Sequence, residues 1–246
     1  MKPTFRLTGP GGTSYAIYVE EPKALKPGGS APAIAWMDGD MLFEPAAKTY
    51  RKLEAAGEIA PVFMIGVGYG VKFGAPGNER LRDYTPTHVS TEERSGQADA
   101  FHTFLVSTLW PELTRRYPID SHARGLAGHS LGSLLVLYGL FQTKPFFNRF
   151  MASAPSIWWD DRAILKRAAK LQADGVALPA RLHLSSGADD TESMTGDLVL
   201  MERQLAIHPF PRLEVASTRF VDRDHYNVIP EATEAGLRFV LGSTQR

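Results

Sequence analysis

The sequence predicts an α/β architecture: a mostly parallel sheet with helices on both faces and antiparallel strands at its N-terminal edge. Three observations predict it. Short apolar runs alternate with helical patterns over the last three-quarters of the 246 residues, the signature of strand–helix–strand units. Pro61–Val67 is apolar throughout, as a strand buried on both faces must be. Gly128-His129-Ser130-Leu131-Gly132 stands where a short apolar strand meets a strongly apolar helix. That junction is too tight for ordinary backbone, and glycines two before and two after the serine let strand and helix approach without Cβ clashes.

The elements follow in order. Phe5–Leu7 and Tyr15–Val19 read as opening strands, and a Pro/Gly-rich loop runs from Pro22 to Pro32. Ala33–Met37 is a third strand, stopped at Asp38-Gly39-Asp40. Ala46, Tyr50, Leu53 and Ala56 recur at helical spacing within Glu44–Ala56. After Pro61–Val67 comes a stretch rich in Gly, Pro, Thr and Arg, Gly68 to Gly96; loops this long in compact domains are functional or disordered. Gln97–Tyr117 carries an apolar stripe of Ala98, Phe101, Leu105, Leu109 and Leu113, with a kink expected at Pro111. Strand Ala123–Ala127 and helix Leu131–Phe141 flank the serine turn. The remainder alternates: strand Phe150–Ser153, helix Asp161–Gln172, strand Arg181–Ser185, helix Thr195–Ile207, strand Leu213–Phe220 and helix Val228–Leu241. Residues 1–246 are expected to form one domain, without internal repeats.

Composition narrows the function. Hydrophobic residues make up 43% and charged residues 22%, which is enough for a sizeable core. The 27 basic and 27 acidic residues cancel, so nucleic acid and anionic membranes are not expected partners. With no cysteine, disulfides, thiolate metal sites and a cysteine nucleophile are excluded. The histidines lack metal-ligand spacing, and no dinucleotide or P-loop glycine pattern occurs, so neither a metal nor an organic cofactor is expected. Met1–Thr8 holds no apolar stretch of signal-peptide length. The expected compartment is the cytoplasm, or the periplasm if a leader was removed. Nothing in the pattern selects an oligomeric state.

The serine turn calls for partners. A serine hydroxyl needs a base to take its proton and a third group to orient that base. In parallel sheets such groups gather on loops beyond the carboxyl ends of the strands, here in the order serine, acid, histidine. Of the seven histidines, four precede Ser130 or adjoin it, His183 lies inside a strand, and His208 ends a helix. His225 alone sits between a late strand and the final helix, and is the expected base. His129, in the turn itself, is expected to shape the pocket floor. The acid is expected from the loop after Arg181–Ser185, with Asp190 favoured over Asp189 and Glu192, each of which could instead serve as a helix cap. Asp224 is a weaker candidate, since a sequence neighbour seldom points at the ring. Oxyanion donors are expected at the N–H of Leu131 and within Asp38-Gly39-Asp40-Met41, with the Asp40 N–H favoured; Asp38-Gly39 is equally readable as a plain turn.

Several stretches occur together in order: Trp36 to Phe43 (WMDGDMLF), Arg82 to Thr87 (RDYTPT), GHSLG, Ser153 to Asp160 (SAPSIWWD) and His225 to Pro230 (HYNVIP). The set resembles the esterase branch of the α/β-hydrolases that holds the ferric-enterobactin and salmochelin esterases, over nearly the whole chain. The resemblance implies an α/β-hydrolase fold with little or no cap that cleaves esters through an acyl-enzyme, on siderophore trilactones or related esters. It assigns Ser130 as nucleophile, His225 as base, Asp190 as acid, and the Leu131 and Asp40 amides as oxyanion hole. Because some relatives work with a Ser–His dyad, the acid stays open. The chain departs from the pattern at Ser133, where relatives commonly carry glycine; this could narrow the helix start or change pocket polarity. Arg80 and Arg82 are candidates for meeting an anionic ferric siderophore, although for Arg82 a buried pair with Asp83 or a neighbouring carbonyl is slightly favoured over contact. Trp158 and Trp159 could stack on an aromatic ester or pack beneath the rim. The alternatives are a small-acyl carboxylesterase or thioesterase, such as an S-formylglutathione hydrolase-like enzyme, and a non-catalytic hydrolase-fold binding protein.

Overall fold

A strand buried along its whole length, as Phe63–Gly68 is, needs neighbours on both sides and cover on both faces. The computed structural model, which describes residues 2–242, supplies them. Its strands are β1 (Phe5–Thr8), β2 (Ser14–Glu20), β3 (Ala31–Trp36), β4 (Phe63–Gly68), β5 (Ile119–His129), β6 (Arg149–Ser153), β7 (Ala180–Gly187) and β8 (Leu213–Phe220). They form one sheet in the order β1-β2-β4-β3-β5-β6-β7-β8. The β1–β2 and β2–β4 pairs are antiparallel. The remaining pairs are parallel. The chain passes from β3 to β4 on one side and returns to β5 on the other. The carboxyl ends of β3 and β5 therefore diverge at a topological switch point, where open α/β sheets place ligands.

The helices are α1 (Gly39–Ala55), α2 (Arg80–Tyr84), α3 (Ala98–Phe104), α4 (Trp110–Arg116), α5 (Leu131–Leu140), α6 (Trp159–Ala173), α7 (Glu192–Ile207) and α8 (Ile229–Leu241). On one face, Phe43, Tyr50 and Leu53 of α1 pack with Leu237 and Val240 of α8 over Ile34, Trp36 and Met64. On the other, Phe101, Leu134, Leu137 and Leu198 pack with Ala33, Ala35 and Leu126. The alternation of β3 side chains between the two clusters is the period-two geometry of a strand. Among the described residues no helix is long and apolar enough to cross a membrane.

Besides shifted bounds at β5 and α7, three elements differ from the sequence reading for a local reason. α1 begins at Gly39 rather than Glu44 and carries Pro45 within it; the preceding Asp38 takes the left-handed conformation, φ 55°, turning the chain out of β3. The expected continuous helix over 97–117 is α3, a wide π-turn at Leu105–Leu109, and α4. Pro111 sits in the first turn of α4, where a missing N–H costs little, and the irregularity lies just ahead of it. In α6, which starts at Trp159, Asp160, Asp161 and Arg162 all have positive φ, a conformation unfavourable for residues with a Cβ and invisible in their identities.

The expected long loop before α3 contains α2 and is pinned from within. Asp83 is fully buried. Its Oδ2 accepts the Tyr15 hydroxyl at 2.7 Å and the Tyr69 hydroxyl at 3.0 Å, and its Oδ1 accepts Arg82 Nε–H at 2.7 Å. Arg82 Nη2 also donates to the Tyr15 hydroxyl at 3.0 Å and to Thr13 Oγ1 at 3.1 Å. A carboxylate with this many donors is tolerable in the interior, whereas removing it strands a buried guanidinium. Asp83→Ala should accordingly lower stability by about 3–5 kcal/mol, read as a drop in the urea midpoint; a loss below about 1 kcal/mol would show the network to be dispensable.

Two buried imidazoles give a second expectation. Burial pulls His183 down to about 4. Burial, then His225 and Arg80, pulls His129 down to about 3. Both stay neutral in the folded chain, while the unfolded chain binds their protons below about pH 6.5. Their contribution is complete above that pH and shrinks as pH falls toward the folded values. Between pH 7 and 5 the unfolding free energy should drop by about 2 kcal/mol per histidine. His183→Leu should show a correspondingly smaller drop in urea melts at the two pH values, and an unchanged drop would contradict this assignment.

Candidate active site

β5 ends at His129 and α5 starts at Leu131, so Ser130 makes the whole turn, with φ 58° and ψ −124°. Few non-glycine residues hold that backbone without surrounding support. The support is steric and hydrogen-bonded. A Cβ on Gly128 would lie 2.4 Å from the Gly132 carbonyl carbon, and one on Gly132 would lie 3.1 Å from Met37 Cβ. The Ser130 N–H donates to Ser153 O at 3.0 Å. Ser133, the departure noted in the sequence, is fully buried beneath the turn. Its hydroxyl lies 2.6 Å from Gly128 O and 2.7 Å from Ser153 O, bracing the ends of β5 and β6 instead of altering the pocket's polarity.

Above the switch point lies a cavity of about 140 Å³ lined by Ser130, His129, His225 and Arg80, with Met41 and Phe73 among its apolar walls. Met41, Phe73 and Tyr226 are exposed at the mouth. Ser130 and His225, 95 residues apart, thus share one site. His225 Nδ1 is 2.7 Å from Asp190 Oδ2, and the Asp190 side chain is 1% exposed. Asp190 Oδ1 accepts the Thr191 N–H at 2.7 Å. The two loops are joined along their main chains: Ala188 N–H donates to Phe220 O at 2.8 Å and Asp189 N–H to Arg223 O at 2.9 Å. Gly187 is required there, because a Cβ would sit 2.1 Å from Arg223 O.

The competing carboxylates go elsewhere. Asp189 and Glu192 are exposed, and Glu192 begins α7. Asp224 Oδ1 accepts the N–H groups of Tyr226 and Asn227, each at 2.9 Å; the Asn227 and Tyr226 amides hold its carboxyl below the usual range. Ser130 Oγ lies 3.5 Å from Ser156 Oγ, and among the described residues no hydrogen bond joins it to the His225 ring. His129 packs on that ring with centroids 4.6 Å apart. Its Nδ1 is 3.2 Å from Ser153 Oγ, and its lowered pKa leaves it neutral. No protein acceptor takes the N–H of Leu131 or of Asp40 among the described hydrogen bonds, as helix N-termini allow. The Asp40 side chain points away from the cavity: its carboxylate accepts the Tyr18 hydroxyl at 2.5 Å and the amides of Tyr69 and Gly70.

The four residues considered for substrate contact separate. Arg80 lines the cavity, but its Nε and Nη2 each donate to Asp38 at 2.8 Å. Burial pulls Arg80 down, and the Asp38 carboxylate outweighs this, so its pKa ends above the ordinary value. Arg82 does not line the cavity; of its two readings substrate contact is corrected and the pairing holds, its donors being spent on Asp83, Tyr15 and Thr13. Trp159 is likewise corrected to a packing role, being 3% exposed with its indole N–H directed to Thr87 O at 3.1 Å. Trp158 is exposed but does not line the cavity that holds Ser130. Sequence reasoning passed over Asp38 as the partner of Arg80, Ser156 beside Ser130, and the rim residues Met41, Phe73 and Tyr226. Met41, Ser156 and Tyr226 all fall within the motif stretches quoted above, the one available signal; Phe73 carried none.

Among the described residues no group of three or more His, Asp or Glu is arranged to hold a metal ion. Comparison with known proteins then gives the chain its place. Residues 11–206 match the family described as "Putative esterase". The siderophore enterobactin esterase of Emericella nidulans is 30% identical, across 87% of this chain and 83% of that protein. The ferri-bacillibactin esterase BesA of Bacillus subtilis is 27% identical, across 93% of this chain and 85% of its own. The crystal structure of the BES protein from Bacillus cereus superposes with a TM-score of 0.83 at 28% identity, covering 96% of this chain and 93% of that one. With this fold and these relatives, the chain belongs to the esterase family of the α/β-hydrolases and is a carboxylic-ester hydrolase.

Proposed function

We propose that this enzyme hydrolyses siderophore esters through an acyl-enzyme on Ser130. What carries the reading is the buried Asp190 carboxylate 2.7 Å from His225 Nδ1, with His225 and Ser130 lining one cavity. The substrate class rests on relatives named for the hydrolysis of enterobactin and ferri-bacillibactin.

In this reading Asp190 holds the Nδ1–H tautomer and leaves Nε2 free to accept the Ser130 proton. Oγ attacks the ester carbonyl, and the oxyanion that forms is met by the Leu131 and Asp40 N–H groups, which have no protein acceptor. Imidazolium then protonates the departing alcohol. A water, deprotonated by the same ring, releases the acid and restores the serine. The absence of a Ser130–His225 hydrogen bond is compatible with this, since such bonds commonly tighten only with substrate present. His129, kept neutral by burial, adds no second titrating imidazole.

Three outcomes are expected. A fluorophosphonate probe labels the wild-type enzyme and not Ser130→Ala, and Ser130→Ala lowers kcat by about 10⁴–10⁶-fold; equal labelling of both would remove Ser130 as nucleophile. Asp190→Asn lowers kcat by up to about 10⁴-fold by favouring the wrong tautomer, whereas near-wild-type activity would indicate a dyad. The acid limb of the pH–rate profile persists in His129→Asn, measured with a p-nitrophenyl ester; its disappearance would assign the titration to His129.

A further inference from the structure

Among the described residues the walls of the Ser130 cavity carry no unpaired cation, and Arg80 is the one arginine lining it. Its guanidinium forms a fork to Asp38, with side chains only 11% and 8% exposed, and its carbon lies 4.9 Å from the Phe73 ring centroid and 5.5 Å from that of Tyr84. The pair is thus a neutral unit fixed in the wall, not a cation waiting for an anion. Asp190 stands behind His225 at hydrogen-bond distance, so the couple is negative while the ring is a neutral base and is balanced only when the ring carries a proton. Farther out, Arg82 and Arg94 are paired with Asp83 and Glu79. Lys72, next to Phe73 in the chain, and Asp224, next to His225, are exposed, where solvent screens both. What remains to meet a ligand is the apolar surface of Met41, Phe73 and Tyr226.

A cavity of one sign concentrates ligands of the other, and one without an unpaired cation offers an anion no compensation while stripping its water. We infer that this site selects esters carrying no net charge over anionic ones. Three catecholates on Fe(III) leave a triply negative complex, whereas three hydroxamates leave a neutral one. The substrate class indicated is therefore the uncharged kind, a ferric tris-hydroxamate ester or an apolar acyl ester. This inference rests on the acyl-enzyme reading and narrows it.

Steady-state kinetics on two matched pairs tests it. The first pair is p-nitrophenyl butyrate and p-nitrophenyl hemisuccinate, similar in size and differing by one carboxylate. The second is a ferric tris-hydroxamate cyclic triester and a ferric tris-catecholate cyclic triester. The neutral member of each pair should have the larger kcat/KM, by about tenfold or more. Asp38→Asn, which releases the Arg80 charge, should shrink that ratio. Met41→Lys, which sets an unpaired cation on the exposed cavity wall, should shrink it too, and added salt should reverse its effect. Equal or faster turnover of the anionic members would overturn the inference while leaving the hydrolase reading intact. Discrimination within the p-nitrophenyl pair, with neither triester cleaved, would uphold charge selection and remove the siderophore assignment. If no ester is cleaved and the fluorophosphonate fails to label, both readings fall together.

Discussion

The constraint on which the site depends is the backbone of Ser130. A residue with a Cβ is held at φ 58° because β5 must end and α5 must begin within one position. Every neighbour serves that compression: Gly128 and Gly132 give up side chains, Ser153 O receives the Ser130 amide, and the Ser133 hydroxyl ties the carbonyls below. The strain is repaid in position. Oγ stands clear of the sheet, and the start of α5 aims free N–H groups at the same space. Asp38 repeats the device on the other side of the switch point, taking φ 55° between β3 and α1, so the cavity is framed by two forced turns.

Electrostatics follows from the same geometry. The strand ends bring several carboxylates together, and the interior tolerates each only with donors. Asp38 has Arg80, Asp83 has two tyrosines and Arg82, Asp190 has His225 and an amide, and Asp40 has Tyr18 and two amides. The R-D-Y-T-P-T stretch belongs largely to this internal wiring. The Tyr84 hydroxyl accepts the Asp38 N–H at 3.0 Å, and Thr85 Oγ1 accepts the Gly96 N–H at 2.7 Å, so the motif shapes the loop that carries Arg80.

Much of the fold was legible because it is local. Period-two and period-3.6 patterns mark the strands and helices, and the GHSLG turn announces the junction at Ser130 through its own glycines. His225 could be found by elimination and chain order. The choice of Asp190 over Asp189 and Glu192 was legible only as a preference, because it depends on how Gly187 is pressed against Arg223, a contact between segments far apart in the chain. Arg80 and Arg82 illustrate the same limit at short range. Two positions apart on a helix, their side chains diverge by about 200°, so one reaches the cavity and the other the Asp83 network, and composition alone does not say which. The left-handed residues Asp160, Asp161 and Arg162 are set by packing and leave no mark in the letters.

The seam between the β7–α7 and β8–α8 loops has a mechanical consequence. The main-chain bonds from Ala188 and Asp189 to Phe220 and Arg223 tie the acid and imidazole loops together at the ends of β7 and β8, the last two strands at one border of the sheet, while the hydroxyl stands at the end of β5, nearer its centre. Fraying of that border would retract base and carboxylate as a unit and leave their mutual alignment untouched.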